Sequence, residues 1–573
     1  MKFKLSGVAA ALFCCLSCVN VNPELGGNLI PVDQTYQIYP VEAVLPFGAV
    51  SMLPADSLSG YSQRRITIGA IRDDFYGLTT RSCAMTLVPV LDTLDFGNLK
   101  AVKVERFHFA AAFDTLSVAR SDQRHIIQNV RVHSLAAPMS AGRDFDINGK
   151  TLKVDYSKSI ADGNPVVSGS DSLAFDFTEE YARRFLSITQ EDLSDFGKYV
   201  KKVPGIHIST DAPMGEGGRI NMYELQVGYD KAVKYVVGNY AQLSLKCDYD
   251  FDGVAEKDTA FFFAFGLNSF AKLDSLFTVT SRGNYPEYCL NLTTQETADL
   301  AGPAGEEVLI EGGGGLKPVI SARALKHLAE DLIRSRGGVP EEAVINKATL
   351  VLPFRFPDDY REMFKYPAVL SPTCRIRQND TTVVFAGLTD SSSENENHGA
   401  INRSLLCYSP DITYHLQELL KVRETPTAGE ASNEAFKRRK LLKGEYDIWL
   451  IINAMEEIEN SSSSSDMDAY YQMLAYQNYY NSMYYGGYGG YGGYGMGGYG
   501  MGGYGYGYGD PYSNYYTYAL MAQYAQAASS SSSTSSQEML DKDRYYCAFL
   551  YGPDAADASL RPRLELTFSL AKK

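Results

Sequence analysis

Apolar and polar side chains alternate with a period of two along many short segments of this 573-residue chain. The alternation is clear in residues 66–72, 101–109, 129–133, 219–223 and 241–247. A period of two sends successive side chains to opposite faces of a β-strand, and β-branched and aromatic residues favour strands. Residues 260–265 are apolar throughout, which is typical of a strand buried on both faces. The pattern predicts a mainly β protein with short antiparallel strands.

A few amphipathic helices interrupt the strands, and we predict them at residues 178–188, 321–334 and 412–422. In the first, Thr178 occupies the N-cap position before two glutamates, and Tyr181 and Phe185 share one face. The helices are too few for an α/β protein.

The second half of the chain repeats the order of the first: a long strand, a polar strand, a helix and an outgoing strand. These elements are residues 101–113, 129–133, 178–188 and 205–209 in the first half, and 345–356, 374–377, 412–420 and 445–452 in the second. Many short strands with polar turns favour sandwiches and jelly rolls. The sequence predicts an all-β fold with two related antiparallel β-sandwich domains of jelly-roll type, at residues 61–300 and 301–573.

The N-terminus has the features of a lipoprotein signal. Lys2 and Lys4 precede an apolar run at residues 5–16, which is too short to span a bilayer, and Cys18 follows the small residue Ser17. This order predicts a signal peptide at residues 1–17 and acylation of the Cys18 thiol, which becomes the new N-terminus. Several acyl chains on one residue anchor a protein stably to membrane lipid. We expect residues 18–60 to form the lipidated tether.

Charge and cysteine content narrow the class of protein further. The net charge of −15 and a pI of about 5.1, with no basic cluster, argue against a nucleic-acid partner, and the scattered acidic residues indicate a solvated surface. The cysteines after Cys18 lie far apart without a C-x-x-C pair, which excludes a zinc ribbon and a thioredoxin motif. Disulfides are permitted outside the cytoplasm. Cys83, Cys247 and Cys547 lie in apolar runs, where we favour buried free thiols.

A low-complexity segment at residues 458–541 combines serine runs with Tyr/Gly repeats. Glycine-rich chain buries too little apolar surface to offset its ordering entropy, so we predict a disordered insertion. The flanking strands at 447–452 and 544–551 are expected to pair, which makes the insertion a long hairpin loop. The tyrosines are suited to contacts with sugars or proteins, or to self-association, and an inert spacer is an equally open interpretation.

Two motifs resemble ligand sites only weakly. Asp248, Asp250 and Asp252 alternate before a glycine, as in a calcium loop, but the twelfth position is Thr259 and an acidic hairpin turn is favoured. The glycine-rich run at 311–318 lacks the ending of a phosphate-binding loop, which favours a flexible turn into a strand.

No catalytic or metal-binding constellation is recognisable in the sequence. The histidines are dispersed, although His108 and His133 are candidates for neighbouring strands, and there is no G-x-S-x-G motif. We predict no catalytic residue, no metal beyond the weak calcium candidate and no cofactor. A hydrolase remains an open alternative, because carboxylate pairs cannot be identified from sequence.

Four motifs carry a resemblance to a known family. They are residues 25–31 (LGGNLIP), 68–79 (IGAIRDDFYGLT), 311–316 (EGGGGL) and 345–352 (INKATLVL). In this order they resemble a Bacteroidetes outer-membrane lipoprotein family that is described only as a domain of unknown function, and the match spans nearly the whole mature chain. Residues 560–568 also resemble the last strand of jelly-roll modules in surface and carbohydrate-binding proteins. The resemblance implies an outer-membrane lipoprotein with β-sandwich domains, and it supplies no catalytic residue.

The same resemblance implies two further properties. Exported proteins of that phylum are often O-glycosylated at Asp-Ser/Thr-apolar triplets, whose hydroxyl residues here are Ser57, Thr93, Thr115, Ser172 and Ser275. Surface-exposed members often carry acidic residues directly after the lipid cysteine, but residues 19–23 are Val-Asn-Val-Asn-Pro. The side of the outer membrane, periplasmic or extracellular, therefore stays open.

The functional expectation is a non-catalytic outer-membrane lipoprotein that binds an envelope protein or serves as an accessory subunit of an envelope assembly. The alternative is a glycan-binding surface lipoprotein for polysaccharide capture, which requires exposed aromatic side chains on one face. Trp449, the chain's one tryptophan, is expected in a core strand and does not favour that alternative.

Overall fold

Two antiparallel β-sandwiches, each with its own hydrophobic core, form most of the structure. The computed structural model describes residues 36–55, 58, 60, 65–73, 77–89, 100–114, 126–139, 152–168, 172–193, 195–224, 227–230, 235–238, 240–248, 257–264, 289–377, 383–392, 397–459 and 534–571. Strands prevail over short helices in these residues, so the predicted all-β fold class is confirmed.

Strands and helices are numbered in chain order. The strands are β1 (Tyr36–Val44), β2 (Val50–Pro54), β3 (Arg65–Asp73), β4 (Gly77–Met85), β5 (Val88–Pro89), β6 (Lys100–Ala111), β7 (Ile127–Leu135), β8 (Val154–Ser159), β9 (Val166–Ser168), β10 (Leu173–Asp176), β11 (Ile206–Thr210), β12 (Gly217–Glu224), β13 (Val227–Asp230), β14 (Tyr235–Gly238), β15 (Tyr240–Asp248), β16 (Lys257–Ala264), β17 (Cys289–Gln295), β18 (Gly302–Pro303), β19 (Glu307–Glu311), β20 (Leu316–Ile320), β21 (Val344–Pro353), β22 (Val369–Arg377), β23 (Val383–Gly387), β24 (Ile401–Asn402), β25 (Cys407–Tyr408), β26 (Ile448–Glu459), β27 (Thr534–Leu540), β28 (Cys547–Tyr551) and β29 (Arg563–Ala571). The α-helices are α1 (Glu179–Phe185), α2 (Gln190–Leu193), α3 (Phe196–Lys202), α4 (Ala322–Ser335), α5 (Thr413–Leu420) and α6 (Ser432–Leu442).

The first sandwich packs two sheets face to face. One has the order β12-β3-β4-β11-β7-β8, with β17 also paired to β4 and β9 to β7, and the other has the order β10-β6-β15-β16-β5. Their inner faces bury Ile68 and Val132 against Phe109 and Leu243. Helix α1 closes this core, and the rings of Phe107 and Phe185 meet edge to face at 4.9 Å.

The second sandwich is built in the same way. One sheet has the order β18-β2-β20-β26-β22-β23, with β27 added to β26, and the facing sheet has the order β1-β29-β21-β25-β24. Ile320 and Leu450 of the first sheet share the core with Leu350 and Leu566 of the second. Leucines of α4 and α5 are buried against this same core.

The two sandwiches share one topology, as the repeated element order predicts. Strand β6 lies between β10 and β15, and β21 lies between β25 and β29 in the same way. Strand β11 pairs with β4 and β7, and β26 pairs with β20 and β22. In each sandwich an isolated β-bridge joins a residue that follows the long strand to another strand. The bridge joins Phe113 to Tyr223 of β12 in the first sandwich, and Phe354 to Leu550 of β28 in the second.

The first two strands of the chain belong to the second sandwich. Strand β1 pairs with β29, with Tyr36 opposite Ala571, and β2 pairs with β20. The predicted tether at residues 18–60 is therefore wrong from Tyr36 onward, and the first sandwich is inserted between β2 and β18. The alternation in β1 was easy to miss because Pro40 interrupts it, and an edge strand tolerates a proline.

The hairpin that carries the low-complexity segment has a different second strand from the predicted one. Strand β26 pairs with β27 from Asn453 opposite Leu540 to Glu459 opposite Thr534. The predicted pairing of 447–452 with 544–551 is wrong, because β28 pairs with β19 instead. The cause is a turn at Asp541, whose carboxylate accepts hydrogen bonds from the backbone N–H groups of Asp543 and Arg544. The remaining tract, residues 460–533, lies outside the described residues.

Local predictions about helices and thiols are confirmed. The Thr178 hydroxyl caps α1 by accepting from the Tyr181 N–H, and Ser321 caps α4 in the same manner. Cys83 and Cys247 are buried free thiols, and Cys547 is a half-buried one. Among the described residues, no helix is both long and apolar enough to cross a bilayer.

Candidate functional site

Different strand ends lie at the two ends of the second sandwich. At one end, which we call the Tyr36 end, β1 begins and β29 finishes, with Tyr36 opposite Ala571. At the other, the Phe354 end, β21 finishes and β22 begins. There β26 runs on beyond Asn453, which lies opposite Val369 at the start of β22, and continues with β27 as a two-stranded ribbon to Glu459. The ends of β26 and β27 that border the Tyr/Gly tract therefore lie at the Phe354 end, opposite the start of β1.

A small polar pocket of about 120 Å³ lies at the Phe354 end. It lies between the segment after β21 and strand β28, and its lining residues are Arg355, Pro357, Asp358, Glu362, Lys365, Tyr366, Cys547 and Phe549. The Arg355 guanidinium lies 4.5 Å from the centre of the Phe549 ring and donates to Glu307 over 2.5 Å. The pocket floor is thus held by charge pairs and aromatic contacts.

Local hydrogen bonds fix the segment that forms one wall of the pocket. Asp359 caps a short 3₁₀ turn at residues 360–365 by accepting from the Arg361 N–H over 3.0 Å. The Tyr366 hydroxyl donates to the Arg355 carbonyl over 2.5 Å, and its ring contacts Phe354 at 5.3 Å. Burial raises the pKa of Tyr366 to about 12, so this hydroxyl stays protonated and remains a donor at neutral pH.

Two exposed aromatic side chains belong to the segment that forms one wall of the pocket, although neither lines the pocket itself. Phe356 is 47% exposed and Tyr360 is 72% exposed, and both belong to the same segment as Asp358 and Glu362. Flat aromatic faces beside carboxylates and a guanidinium suit a sugar ring, which offers C–H groups to the rings and hydroxyls to the charges. Trp449, by contrast, is buried beneath Phe385 and Arg375, so its predicted place in a core strand is confirmed.

A buried polar cluster joins the two sandwiches. Arg81 of β4 is fully buried and donates to Thr293 over 2.5 Å and to the backbone carbonyls of Lys542 and Arg544 over 3.1 and 3.3 Å. Burial lowers the pKa of Arg81 to about 10, and the nearby Asp543 opposes this shift. Burial likewise raises the pKa of Asp543. These groups contradict the expectation that the acidic residues simply form a solvated surface.

The glycine-rich turn packs against the same cluster. Strands β19 and β20 flank it, which confirms a turn into a strand, but Gly313 has a φ of +71° and contacts the Arg81 guanidinium, so the turn is packed in place. The Lys317 ammonium is buried and donates to the carbonyls of Glu311 and Gly314 over 2.9 and 2.7 Å. Burial lowers the pKa of Lys317 to about 8. Lys317 is occupied by its own turn, which does not form a phosphate cradle.

Most of the predicted site residues cannot be placed. Cys18, Ser57, Thr93, Thr115 and Ser275 lie outside the described residues, as do Asp250 and Asp252. Ser172 is exposed directly before β10, and Asp248 ends β15, whose predicted hairpin with β16 is confirmed by the pairing of Cys247 with Lys257. In the part of the chain that is described, no group of three or more His, Cys, Asp or Glu residues could hold a metal ion.

His108 and His133, the candidates for neighbouring strands, do not lie on neighbouring strands. The two histidines lie on facing sheets, because β6 and β7 belong to different sheets of the first sandwich. His108 contacts Asp176 at 2.7 Å, whereas His133 lies directly opposite His207 on β11. Tyr156 meets the rings of His133 and His207 edge on, at 5.2 and 6.0 Å.

No protein-family model, curated protein or solved structure matches the chain.

The pocket was missed in the sequence because its walls come from distant segments, residues 355–366 and 547–549. The one local signal was the clustering of aromatic and acidic residues at 356–360.

Proposed function

We propose that this protein is a lipid-anchored binding protein of the outer membrane, which serves as an accessory subunit of an envelope assembly and has no catalytic role. The observation that carries the proposal is the opposition of the two ends of the second sandwich. Residues 19–35 connect Cys18 to the Tyr36 end, while the pocket and the strand ends that border the Tyr/Gly tract are at the Phe354 end. An acyl anchor at Cys18 then leaves the pocket and the tract free to meet a partner.

The charged groups around the pocket favour binding over catalysis. Arg355 pairs with Glu307, and Lys365 pairs with Glu362 at 3.2 Å. Paired groups of this kind hold a surface in shape and orient a ligand, whereas general acid–base chemistry needs a group with a pKa matched to proton transfer.

Two measurements test the proposal together. Mass spectrometry of the mature N-terminal peptide should show acylated Cys18, and the Cys18→Ser variant should leave the membrane fraction. Affinity purification after mild detergent extraction should then recover a stoichiometric envelope protein, and the recovery should fall for a variant with Tyr360→Ala and Arg355→Ala. An unmodified N-terminus, or a partner recovered equally well with that variant, contradicts the proposal.

The exposed pair Phe356 and Tyr360 favours a second candidate function, the binding of a glycan at the same pocket. Sugar recognition commonly combines an aromatic face with hydrogen-bonding charges, and both are present here. Binding on a polysaccharide array should fall by about two- to tenfold for Tyr360→Ala, because loss of a ring contact costs about 0.5–1.5 kcal/mol. Tyr156→Ala removes a similarly exposed tyrosine on the first sandwich and should leave glycan binding unchanged. Equal losses for both variants contradict a glycan site at the pocket.

A further inference from the structure

We infer that the Tyr36 end of the second sandwich rests on the lipid surface, through the outer face of β1, β29 and β21. The inference rests on the proposed lipid anchor and goes beyond it, because it assigns the membrane a specific patch of the folded protein. The patch consists of Tyr36, Ile38, Val344 and Val339, which we call the apolar rim.

Alternation in β1 shows which side chains point outward. Tyr39 stacks on Phe568 at 5.5 Å and faces the core, as does Val41. The intervening residues therefore point away from the core, and Tyr36 and Ile38 are each 61% exposed. Large apolar side chains exposed together on a strand mark a contact surface.

The strand register brings the members of the rim together. Ile38 lies opposite Ser569, and Ser569 lies opposite Val344 on its other side, so Ile38 and Val344 flank a small residue on one face. Val344 is exposed, and so is Val339 in the turn that leads into β21. Directly opposed residues of neighbouring strands share a face, so Ile38, Ser569 and Val344 form one row across three strands, and Val339 precedes this row in the chain.

The same face becomes charged towards the Phe354 end. Glu42 lies opposite Glu565, and Arg563 pairs with Glu565 at 3.0 Å and with Glu42 at 3.6 Å. Apolar exposure on this face is larger at the end where β1 begins, because Tyr36 and Ile38 are each 61% exposed, whereas Val44 at the other end is 41% exposed and lies opposite Arg563. Such a division is expected where only one end of a sheet face meets lipid.

Chain continuity identifies lipid as the occupant of the rim. Residues 19–35 separate the acylation site from Tyr36, and even a fully extended chain of that length spans no more than about 60 Å. The Tyr36 end is therefore the end of the second sandwich that lies nearest to the anchor along the chain. Glu341, Glu342, Lys572 and Lys573 border the rim in sequence, so both signs of charge are present and apolar contact supplies the attraction.

A site-specific fluorescent label tests the contact. The described cysteines of the mature chain are buried or half-buried, so a cysteine introduced by Ile38→Cys is the accessible one for an environment-sensitive nitrobenzoxadiazole label. The labelled, lipidated full-length protein is reconstituted in vesicles of phosphatidylethanolamine and phosphatidylglycerol. We expect a blue-shifted emission and quenching by lipids brominated near the headgroup, because interfacial side chains lie about 5–10 Å into the boundary region. Raising the salt concentration should leave both signals unchanged.

Ile127→Cys is the matched control, because Ile127 is 68% exposed on β7 of the first sandwich. Its label should show neither the shift nor the quenching. The inference is overturned if the Ile38 label is as solvent-exposed as the Ile127 label, or if it is blue-shifted without quenching by brominated lipid, which would show that residues 19–35 or a second copy of the chain cover the rim. The mass of the N-terminal peptide is measured on the same sample, so failure of the anchor is seen separately from failure of the contact.

Discussion

Asn291 of the first sandwich donates a hydrogen bond through Nδ2 to the carboxylate of Asp543 in the second, over 2.9 Å. The same amide donates to the carbonyl of Arg65, and its oxygen accepts from the backbone N–H of Thr67. Asn291 is fully buried, and Asp543 is buried beside it. One side chain thereby ties strand β3 of its own sandwich to the turn before β28 of the other.

The substitution Asn291→Ala should destabilise the junction of the two sandwiches. It removes the acceptor for the Thr67 N–H and the amide donor to Asp543, and each buried polar group that loses its partner costs about 1–3 kcal/mol. Urea unfolding should show a loss of about 2–4 kcal/mol in the free energy of unfolding. Asn129→Ala removes an exposed amide that is bonded to Asp211 and should cost less than about 0.5 kcal/mol. Equal effects of the two variants would refute the importance of the junction.

Gly313→Ala should be more destabilising than Gly163→Ala, although both glycines have a φ of +71°. Alanine in the left-handed region costs about 1–2 kcal/mol at either position. At Gly163 an added Cβ meets nothing within 4 Å, whereas at Gly313 it would lie 2.2 Å from Nη1 of Arg81. Thermal unfolding should show an additional loss of about 1–3 kcal/mol for Gly313→Ala, which is the usual cost of overpacking a buried site. Indistinguishable melting curves would show that the turn accommodates the added Cβ without loss of stability.

His207 should make the first sandwich less stable in acid. Burial lowers the pKa of His207 to about 4, and the neighbouring His133 adds to the shift. A folded-state pKa below the unfolded value of about 6.5 means that the unfolded chain takes up the proton first, so this stabilising contribution is complete above pH 6.5 and is lost as the pH falls towards 4. A shift of this size corresponds to about 3 kcal/mol. Titration of the His207 ring protons by NMR should give a midpoint near 4 in the folded protein and the ordinary value in urea, and a folded-state midpoint above 6 would contradict this assignment.

Alternation identified strands and their faces, but it could not identify which strands pair. The patterns at 66–72 and 241–247 predicted β3 and β15 because each needs only local information. The pairing of β1 with β29 joins the two ends of the described chain, and no local pattern specifies such a partner. The wrong pairing predicted for β28 has the same origin. Its sequence correctly predicted a strand, but the turn at the buried Asp541 places that strand beside β19.

The site was less predictable than the fold for a related reason. A charged residue in a strand is normally read as solvent-facing, yet Arg81 is fully buried, and backbone carbonyls from the other sandwich accept hydrogen bonds from its two Nη atoms. Its hydrogen-bond partners lie far away in the sequence. The sequence alone therefore shows neither that Arg81 is buried nor which carbonyls accept its hydrogen bonds. Lys317 is buried in a similar way, because carbonyls of its own glycine-rich turn accept hydrogen bonds from its ammonium group.

Shortening the low-complexity tract should preserve the fold of the second sandwich. Glu459 lies opposite Thr534 in the last pair of the β26–β27 ribbon, so a short linker can close the hairpin in place of residues 460–533. Loop-closure entropy grows only logarithmically with length, and a loop of about eight Gly/Ser residues, roughly tenfold shorter, should stabilise the ribbon by about 2 kcal/mol.

Hydrogen exchange of the ribbon amides should therefore slow by about thirtyfold in the shortened variant, which is the equivalent of that free energy. A control of full length, with every tyrosine of residues 460–533 replaced by serine, keeps the loop length and should exchange at the wild-type rate. Faster exchange in the shortened variant would show that the tract itself packs on the ribbon. Faster exchange in the serine control alone would assign that packing to the tyrosine rings.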